Sequence, residues 1–234
     1  MILYDLLQYI SLMDFGIEIP VSDNKRTNTL EYLRNHPVIG KQLDAYSIKG
    51  INEKMTRQDL LRVHSEDYVD KLFSKGLERE IVRAYELIDA NGNYHRYNPE
   101  KARLPLSQLF ENQLHKVAGS LQCCRIALDK GFCFYFGGGN HHAKKDYGEG
   151  FCILNDIVIA VRRLQADRRI ESVWIIDVDA HKGDGTAELT SDDDSIKTLS
   201  IHMAKGWPLD GDRIVEGKLN PSFIPSDIDI PIEA

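Results

Sequence analysis

The sequence lacks several features that would each indicate a particular class of protein. It has four cysteines in 234 residues and no Cys-x-x-Cys pair, so it shows no disulfide framework or cysteine-rich metal site; they are Cys123, Cys124, Cys133 and Cys152. No apolar run approaches the ~18 residues that span a bilayer, and the N-terminus has no signal-peptide pattern. These absences predict a cytoplasmic protein with reduced thiols, with the nucleus as the alternative in a eukaryote, and no membrane partner.

The chain also lacks an excess of positive charge. It has 29 Lys and Arg against 36 Asp and Glu, a net charge of -7. Because nucleic-acid binding requires a basic surface, we expect no direct nucleic-acid partner. A negative field instead favours cationic substrates such as lysine-bearing peptides or polyamines. The length allows one large core, so residues 1–234 are expected to form a single domain.

What the sequence does contain is an alternation of helical and extended patterns. Apolar spacing predicts helices over Arg26–Asn35, from the cap Ser65 to a stop at Gly76, and over Glu78–Ala90, Ser107–Lys130 and Asn155–Gln165. Extended segments are predicted at Phe132–Phe136, Val173–Asp179, Lys197–His202 and Ile228–Ile232. The strand–helix–strand order from 132 to 179 predicts a parallel pair with a right-handed crossover.

Polar residues follow two of these predicted strands. Gly137–Gly139 and the doublet His141-His142 follow the first, and Asp177, Asp179 and His181 end the second. Because parallel strands deliver their carboxyl ends to one edge of a sheet, we expect the two groups to meet there. The second group sits at alternate positions, so its side chains are expected to point to one side of the strand.

The second group is typical of half a metal site. Burying three such polar groups is too costly without a cation, and mixed oxygen and imidazole ligands suit a zinc-like ion. Taken alone, the histidine doublet fits metal ligands, an acid–base pair or a solvated loop, and the last is favoured. Placed beside the acidic motif, Asp179 and His181 are predicted to hold the metal, while Asp177 and Asp184 orient the imidazoles. A metal-bound water beside a histidine base would then complete a hydrolytic site.

Three segments in order, Gly137–Lys144, Gly150–Asp156 and Asp177–Gly185, resemble the signature segments of the histone deacetylase family. That family includes the acetylpolyamine amidohydrolases and acetoin-utilisation proteins. The resemblance extends from about Leu61 to the end of the chain, and over the first predicted helix as well. It implies the arginase/deacetylase-like α/β fold, a three-layer open parallel sheet with helices on both faces. It also implies a zinc-dependent hydrolase that removes acetyl or other acyl groups from lysine side chains or small acylated amines.

The resemblance further implies a role for each matching residue. His142 matches the general base, with Asp184 behind it, and His141 matches the second, electrostatic histidine, with Asp177 behind it. The other matches are the zinc ligands Asp179 and His181, the substrate-binding residues Gly150, Phe151, Trp207 and Arg26, and a structural monovalent-cation site, usually potassium, at Asp177, Asp179, His181, Ser200 and Ile201. The expected substrate is an acetyl-lysine peptide or an acetylated amine.

The family's third zinc ligand and its oxyanion tyrosine have no match in this sequence. In the family both follow the region that matches here, so we expect an N-terminal portion of the domain, with the C-terminal part absent from this chain. One interpretation is a deacetylase completed by a separate C-terminal segment of the same fold. The alternative is a catalytically inactive short form that acts as a binding or scaffold module. The first is favoured because every active-site residue that this portion could carry is intact.

A manganese ureohydrolase such as an arginase shares the fold and is a further alternative. Those enzymes carry an Asp-Ala-His-x-Asp motif, whereas this chain continues Asp179-Ala180-His181-Lys182-Gly183 and lacks the last aspartate. The ureohydrolase interpretation is therefore disfavoured. The sequence does not separate acetylated proteins from acetylated polyamines as substrates.

Overall fold

A computed structural model of the chain describes residues 1–5, 11–19, 24–209 and 211–233. Its helices are α1 (Lys25–Asn35), α2 (Leu43–Tyr46), α3 (Arg57–Leu60), α4 (Glu66–Leu72), α5 (Leu77–Ala84), α6 (Leu106–Lys130), α7 (Asp156–Ala166) and α8 (Asp184–Thr190). Its strands are β1 (Ile2–Tyr4), β2 (Ser47–Lys49), β3 (Phe134–Tyr135), β4 (Val173–Asp177), β5 (Ile196–Met203), β6 (Ile214–Val215), β7 (Lys218–Leu219) and β8 (Ile228–Ile232). Short 3-10 helices cover Leu12–Phe15 and Pro99–Lys101.

The helix ends follow the capping residues of the sequence. The Ser65 side chain accepts a hydrogen bond from the backbone of Tyr68 at the start of α4, and Asn155 caps α7 by accepting from Val158. Gly131 ends α6 in the left-handed conformation, with φ of 84°. These local signals explain why the predicted helices around them start and stop within a residue or a few residues of the observed ends.

The predicted helix over Glu78–Ala90 is wrong in its second half, since α5 ends at Ala84. Glu86 takes a positive φ of 53°, which breaks the helical path. The chain then doubles back, and Ile88 forms an antiparallel bridge with Tyr94. The apolar residues after Ala84 therefore serve a turn and not a helix face.

The predicted pairing of the strands on either side of α7 is also wrong. β3 pairs with β1 in a parallel sheet of order β2-β1-β3, whereas β4 belongs to a second parallel sheet of order β4-β5-β8. β3 is two residues long, and the backbone turns away at Gly138 and Gly139, both with positive φ. Too little extended chain is left there to pair with β4. The fold is thus α/β with parallel strands and packed helices, but the described residues form two three-stranded sheets and not one continuous sheet.

The second sheet is covered on one face only. Ile175 of β4 and Ile196 of β5 pack with Val158 and Val161 of α7. The opposite face carries nine large apolar side chains, of which seven are exposed and Leu199 and Ile201 are half-buried. They are Trp174, Ile176 and Val178 along and after β4, Leu199, Ile201 and Met203 on β5, and Ile228, Ile230 and Ile232 on β8. Parallel sheets are normally buried on both faces, so we name this group the open sheet face.

The main hydrophobic core lies among the helices of the first 160 residues. Its members come from α4, α5, α6 and α7, with Tyr68, Leu72, Ile81, Val117 and Ile159 among those fully buried. Within the described residues, no helix is both long and apolar enough to cross a membrane. This core supports one wall of the site described next.

Candidate active site

A buried carboxylate holds the glycine-rich loop that carries the histidine doublet. Asp156, at the start of α7 and fully buried, accepts hydrogen bonds from the backbone N–H of Gly139 (3.2 Å) and Asn140 (2.7 Å). A side chain at Gly138 would strike Asp156 and Ser120, so only glycine fits there. The loop is thereby fixed from the helix behind it, and the next two residues, His141 and His142, point away from it with little freedom.

Each histidine of the doublet is bonded to its own aspartate. The Nδ1 of His141 lies 2.5 Å from Oδ2 of Asp177, and the Nδ1 of His142 lies 2.7 Å from Oδ1 of Asp184. The two imidazoles are 3.8 Å apart between ring centroids. Since a carboxylate can only accept, Nδ1–H donates in both pairs and the Nε2 atoms remain for other partners.

The two histidines differ in the pKa that their surroundings impose. Burial alone would lower the pKa of His141, but the hydrogen bond to Asp177 and the nearby carboxylates outweigh it, so the pKa is raised. For His142 burial prevails over the hydrogen bond to Asp184, with a further contribution from the charge of His141, and the pKa is lowered. Burial would raise the carboxyl pKa values of Asp177 and Asp184, but the imidazole hydrogen bonds and neighbouring charges, which for Asp184 include Lys144, together outweigh it and lower both pKa values. At neutral pH His142 is thus the imidazole that is free of a proton on Nε2.

A lysine that follows the doublet completes the second pair. The Nζ of Lys144 lies 3.0 Å from Oδ2 of Asp184 and 2.9 Å from Oε2 of Glu149. Burial opposes its charge, but the two carboxylates raise its pKa above the usual value. Asp184 therefore remains ionised between a cation and the imidazole of His142. The contact of Lys144 with Asp184 was not predicted from the sequence. The available signal was a positive charge two residues after the histidine doublet.

The acidic motif does not continue β4 as an extended strand, so the predicted alternation is wrong beyond Asp177. The carboxylate of Asp177 accepts from the backbone N–H of Asp179 (2.9 Å), and that of Asp179 accepts from His181 (2.8 Å). Such side-chain bonds to the backbone two residues on make turns. Asp179 and His181 have side chains 53% and 45% exposed, in contact at 3.3 Å. Both still reach the cavity below.

These side chains line one open cavity of about 570 Å³. Its lining residues are Glu86, Arg96, Gly139, Asn140, His141, His142, Gly150, Phe151, Cys152, Asp179, His181 and Trp207. Trp207 packs edge-on against the His142 ring, 4.4 Å between centroids, and Phe151 lies against Tyr85. Gly150 has a positive φ of 55°, and a Cβ there would come within 2.7 Å of His142 and strike Trp207. The structure therefore brings together the predicted histidines, the two proposed metal ligands, and Gly150, Phe151 and Trp207.

Other predicted site residues lie elsewhere. Arg26 is not among the described residues that line this cavity; its Nη1 donates to the carbonyl of Asp5 at 2.9 Å. Ser200 is opposite Asp177 in the parallel register of β4 and β5, and its hydroxyl lies 3.1 Å from Nδ1 of His202. The substrate-binding role of Arg26 and the monovalent-cation site of Ser200 and Ile201 stay predictions.

Two cavity residues were missed by the sequence reasoning. Glu86 and Arg96 come from the turn after α5, which the periodicity assigned to a helix and a loop without chemical signals. For Glu86 the available signal was a charge between the apolar residues Tyr85 and Leu87, whereas Arg96 lies in a polar segment that offers no such signal. Their placement needed the chain reversal at Ile88 and Tyr94.

The described residues contain no group of three or more His, Cys, Asp or Glu side chains arranged to hold a metal ion. Asp179 and His181 supply two donors, whereas a catalytic zinc normally has three protein ligands. Taken by themselves, the described residues do not fit a complete catalytic zinc site.

Comparison with known proteins gives one consistent result. The family model described as the histone deacetylase domain matches residues 20–228. An uncharacterised protein of Picosynechococcus sp. is 40% identical over 42% of this chain and 33% of its own length. A probable deacetylase of Archaeoglobus fulgidus is 32% identical over 66% of this chain and 39% of its length. Histone deacetylase 1 of Homo sapiens is 30% identical over 64% of this chain and 30% of its length.

The match thus spans about a third of the length of these curated relatives. The family model nevertheless covers most of the chain, from residue 20 to residue 228, including the doublet, its aspartates and the tryptophan of the cavity. The chain belongs to the histone deacetylase family.

Proposed function

We propose that this chain carries the acid–base half of an amide hydrolase that removes acetyl or other acyl groups from lysine side chains or small acylated amines. One observation carries the proposal: two buried His–Asp pairs lie side by side on the floor of a cavity walled by Phe151 and Trp207. Membership of the deacetylase family supports the reaction type. The acyl-lysine would enter between the two aromatic side chains.

The proton chemistry follows from the His142 pair. With Nδ1–H held by Asp184, the Nε2 of His142 is the basic atom available in the cavity. It would take a proton from the water that attacks the acyl carbonyl and return it to the leaving amine. His141, held by Asp177 and next to Asp179, would stabilise the negative charge that develops on the carbonyl oxygen.

Zinc and a structural potassium ion are the cofactors implied by the family resemblance. Asp179 and His181 would be two zinc ligands, and Asp177, Ser200 and Ile201 would contribute to the potassium site. Two donors do not complete a catalytic zinc site, which needs three protein ligands. The third donor is proposed to come from a polypeptide segment outside the described residues.

The open sheet face supports a completing segment of the same fold. Ile176 and Val178 of that face also line a second cavity of about 330 Å³ with His141, Asp177 and Asp179. The uncovered apolar surface is thus continuous with the incomplete metal site. A segment that packs an apolar helix on this face would place an acidic side chain at the metal and bury what is now exposed. This proposal applies equally to a continuation of the chain and to a separate polypeptide.

The experiment combines three measurements on one preparation: intact mass, zinc content, and turnover of a fluorogenic acetyl-lysine substrate. We expect a second segment in the mass spectrum of any preparation that has stoichiometric zinc and turnover. For the isolated 234 residues we expect little zinc and little turnover. Stoichiometric zinc in the isolated residues would contradict the need for a third donor. Acetyl-lysine binding without turnover, even with the completing segment present, would instead favour the alternative of a catalytically inactive binding module.

A further inference from the structure

Two residues of opposite charge, Glu86 and Arg96, lie in the segment after α5 that forms one wall of the cavity. Ile88 bridges Tyr94 in antiparallel fashion, and the backbone N–H of His95 donates to the carbonyl of Leu87 at 2.8 Å. Glu86 and Arg96 flank this bridged segment, and both leave the extended conformation, with φ of 53° and 56°. Both line the cavity that contains the histidine doublet. The pair thus belongs to the active-site wall and not to a distant loop.

The backbone around Arg96 is held on two sides. Its carbonyl accepts a hydrogen bond from the N–H of Glu18 at 2.8 Å, and the next residue, Tyr97, bridges Ile17. Tyr97 also packs edge-on against Tyr94, 5.1 Å between centroids. These contacts fix the Cα of Arg96 at the rim of the cavity, so its guanidinium stays within reach of a bound substrate.

The backbone conformation at this wall is unusual. Five described non-glycine residues have positive φ, and three of them, Glu86, Arg96 and Phe151, line this one cavity. Left-handed backbone at non-glycine residues is costly and collects at functional sites. The two charged residues share this conformation with the aromatic wall that the family resemblance already implies.

The charged side chains of Glu86 and Arg96 have no ion-pair partner within the described part of the chain. No ion pair there involves Glu86 or Arg96, whereas Lys205, the next lysine before Trp207, is paired with Asp212. Arg96 is the only lysine or arginine among the described residues that line the cavity. Arg96 is exposed, so water solvates its guanidinium in the free protein, and a substrate anion that enters the cavity would meet this positive charge.

We propose that Arg96 binds a carboxylate that the substrate carries close to its acylated amine, with Glu86 in the same cavity lining disfavouring the reverse charge order. This specificity role rests on the proposed function. A guanidinium pairs with a carboxylate in a two-pronged geometry that a neutral amide cannot reproduce. The carboxylate has two sources: an acidic side chain next to an acyl-lysine in a peptide, or the α-carboxylate of a free acylated amino acid.

The test uses the whole chain together with any segment that co-purifies with it. The probes are fluorescein-labelled peptides with a central acetyl-lysine flanked by Asp, Asn or Lys, and free Nε-acetyl-lysine beside its C-terminal amide. We expect Arg96→Gln to weaken binding of the Asp-flanked peptide roughly 3- to 10-fold, because the contact is exposed, and to leave the Asn-flanked peptide unchanged. Arg96→Glu should reverse the preference toward the Lys-flanked peptide.

Arg168→Gln is the matched control. Arg168 is an exposed arginine with the same left-handed backbone, φ of 55°, and does not line the cavity. If the α-carboxylate is the source, Arg96→Gln weakens free acetyl-lysine and not its amide. If an acidic side chain is the source, the effect is confined to the Asp-flanked peptide.

The outcomes separate this proposal from the proposed function. Equal losses for all probes in Arg96→Gln, or no loss for any probe, would overturn the role of Arg96 while acetyl-dependent binding still supported the deacylase. Binding that ignores the acetyl group altogether would count against the deacylase itself. High salt should reduce the difference in binding between wild type and Arg96→Gln, since the contact of Arg96 with the substrate carboxylate is exposed to solvent.

Discussion

The Nδ1 of His142 lies 2.7 Å from Oδ1 of Asp184, while the other oxygen of that carboxylate lies 3.0 Å from Nζ of Lys144. The aspartate is almost fully buried and therefore holds the imidazole through one oxygen while the ammonium compensates its charge through the other. This arrangement fixes the tautomer of His142 and leaves Nε2 basic. It also makes Asp184 the residue on which the general base depends.

Asp184→Asn should remove most of that support without changing the shape of the side chain. An amide no longer holds Nδ1–H as the carboxylate does, so we expect kcat to fall by about 10²- to 10³-fold with a smaller change in KM. Turnover of an acetyl-lysine substrate by the complete enzyme measures it. Asp129→Asn, which changes an exposed aspartate paired with Arg169, is the control and should leave kcat unchanged. Equal kcat in both variants would remove Asp184 from the mechanism.

Gly150→Ala should obstruct the cavity. The added Cβ would come within 2.7 Å of the His142 ring and strike Trp207, at a backbone φ of 55°. We expect at least a 10-fold loss of kcat/KM, because a small displacement of the base or of the aromatic wall misplaces the substrate. Gly92→Ala is a matched control, since Gly92 has a φ of 82° and a Cβ there meets no atom within 4 Å. Similar activity losses in the two variants would mean that backbone strain, and not the cavity, is responsible.

Lys182→Met should be among the most destabilising substitutions next to the site. The Nζ of Lys182 lies 2.9 Å from Oδ1 of Asp229 on β8, and both side chains are almost fully buried. Removing the ammonium leaves a buried carboxylate without its partner, which costs about 3–5 kcal/mol of unfolding free energy. Urea denaturation measures it. The exposed pair of Lys197 with Asp194 provides the control, and Lys197→Met should cost less than about 1 kcal/mol.

Combining Lys182→Met with Asp229→Leu should recover much of the stability lost in the single variant, because no uncompensated charge then remains. If the double variant is no more stable than Lys182→Met alone, the ion pair is not the origin of the loss.

Stability should fall on acidification because of His64. Burial lowers its pKa to about 4, and this effect outweighs the opposing hydrogen bond from the ring to the carbonyl of Lys144. The other ring nitrogen accepts from the N–H of Asn155, which requires that nitrogen to be unprotonated. Below pH 6.5 His64 becomes protonated in the unfolded chain but stays neutral in the folded chain. The unfolding free energy therefore decreases as the pH falls from 6.5 toward 4. The full contribution is about 3 kcal/mol.

Urea denaturation of wild type and His64→Gln at pH 7.5 and pH 5 measures this effect. The wild type should lose more stability between the two pH values than the variant does. Equal losses would mean that other groups account for the pH dependence.

Lysine substitutions on the open sheet face should prevent the completing segment from binding there. Ile176 is 63% exposed on β4 and Ile230 is 40% exposed on β8, so Lys in both places costs the isolated chain little. We expect the Ile176→Lys, Ile230→Lys variant to bind less of an apolar fluorescent dye and to lose association with the segment. Val38→Lys, at an exposed apolar residue outside this face, should change neither. Retained association in the face variant would contradict the proposed docking surface.

The sequence determined the local elements and the identity of the reacting groups. Ser65, Asn155 and Gly131 act through backbone bonds within a few residues, so the helices they cap could be predicted. The doublet and the acidic motif could be recognised because their residue types have few other uses in combination. Parallel strands with helices between them followed from the same order of patterns.

Only the tertiary structure decided which groups meet. Glu86 and Arg96 reach the cavity because a positive φ turns the chain after α5. The returning segment is held by the hydrogen bond of Glu18 to Arg96 and by the bridge of Ile17 with Tyr97, which no local pattern reveals. The separation of β3 from β4 likewise depends on pairing with β1, more than 130 residues earlier. Local propensity reports the free energy of a few neighbouring residues, whereas these contacts are set by long-range packing, and they determine the shape and charge of the candidate site.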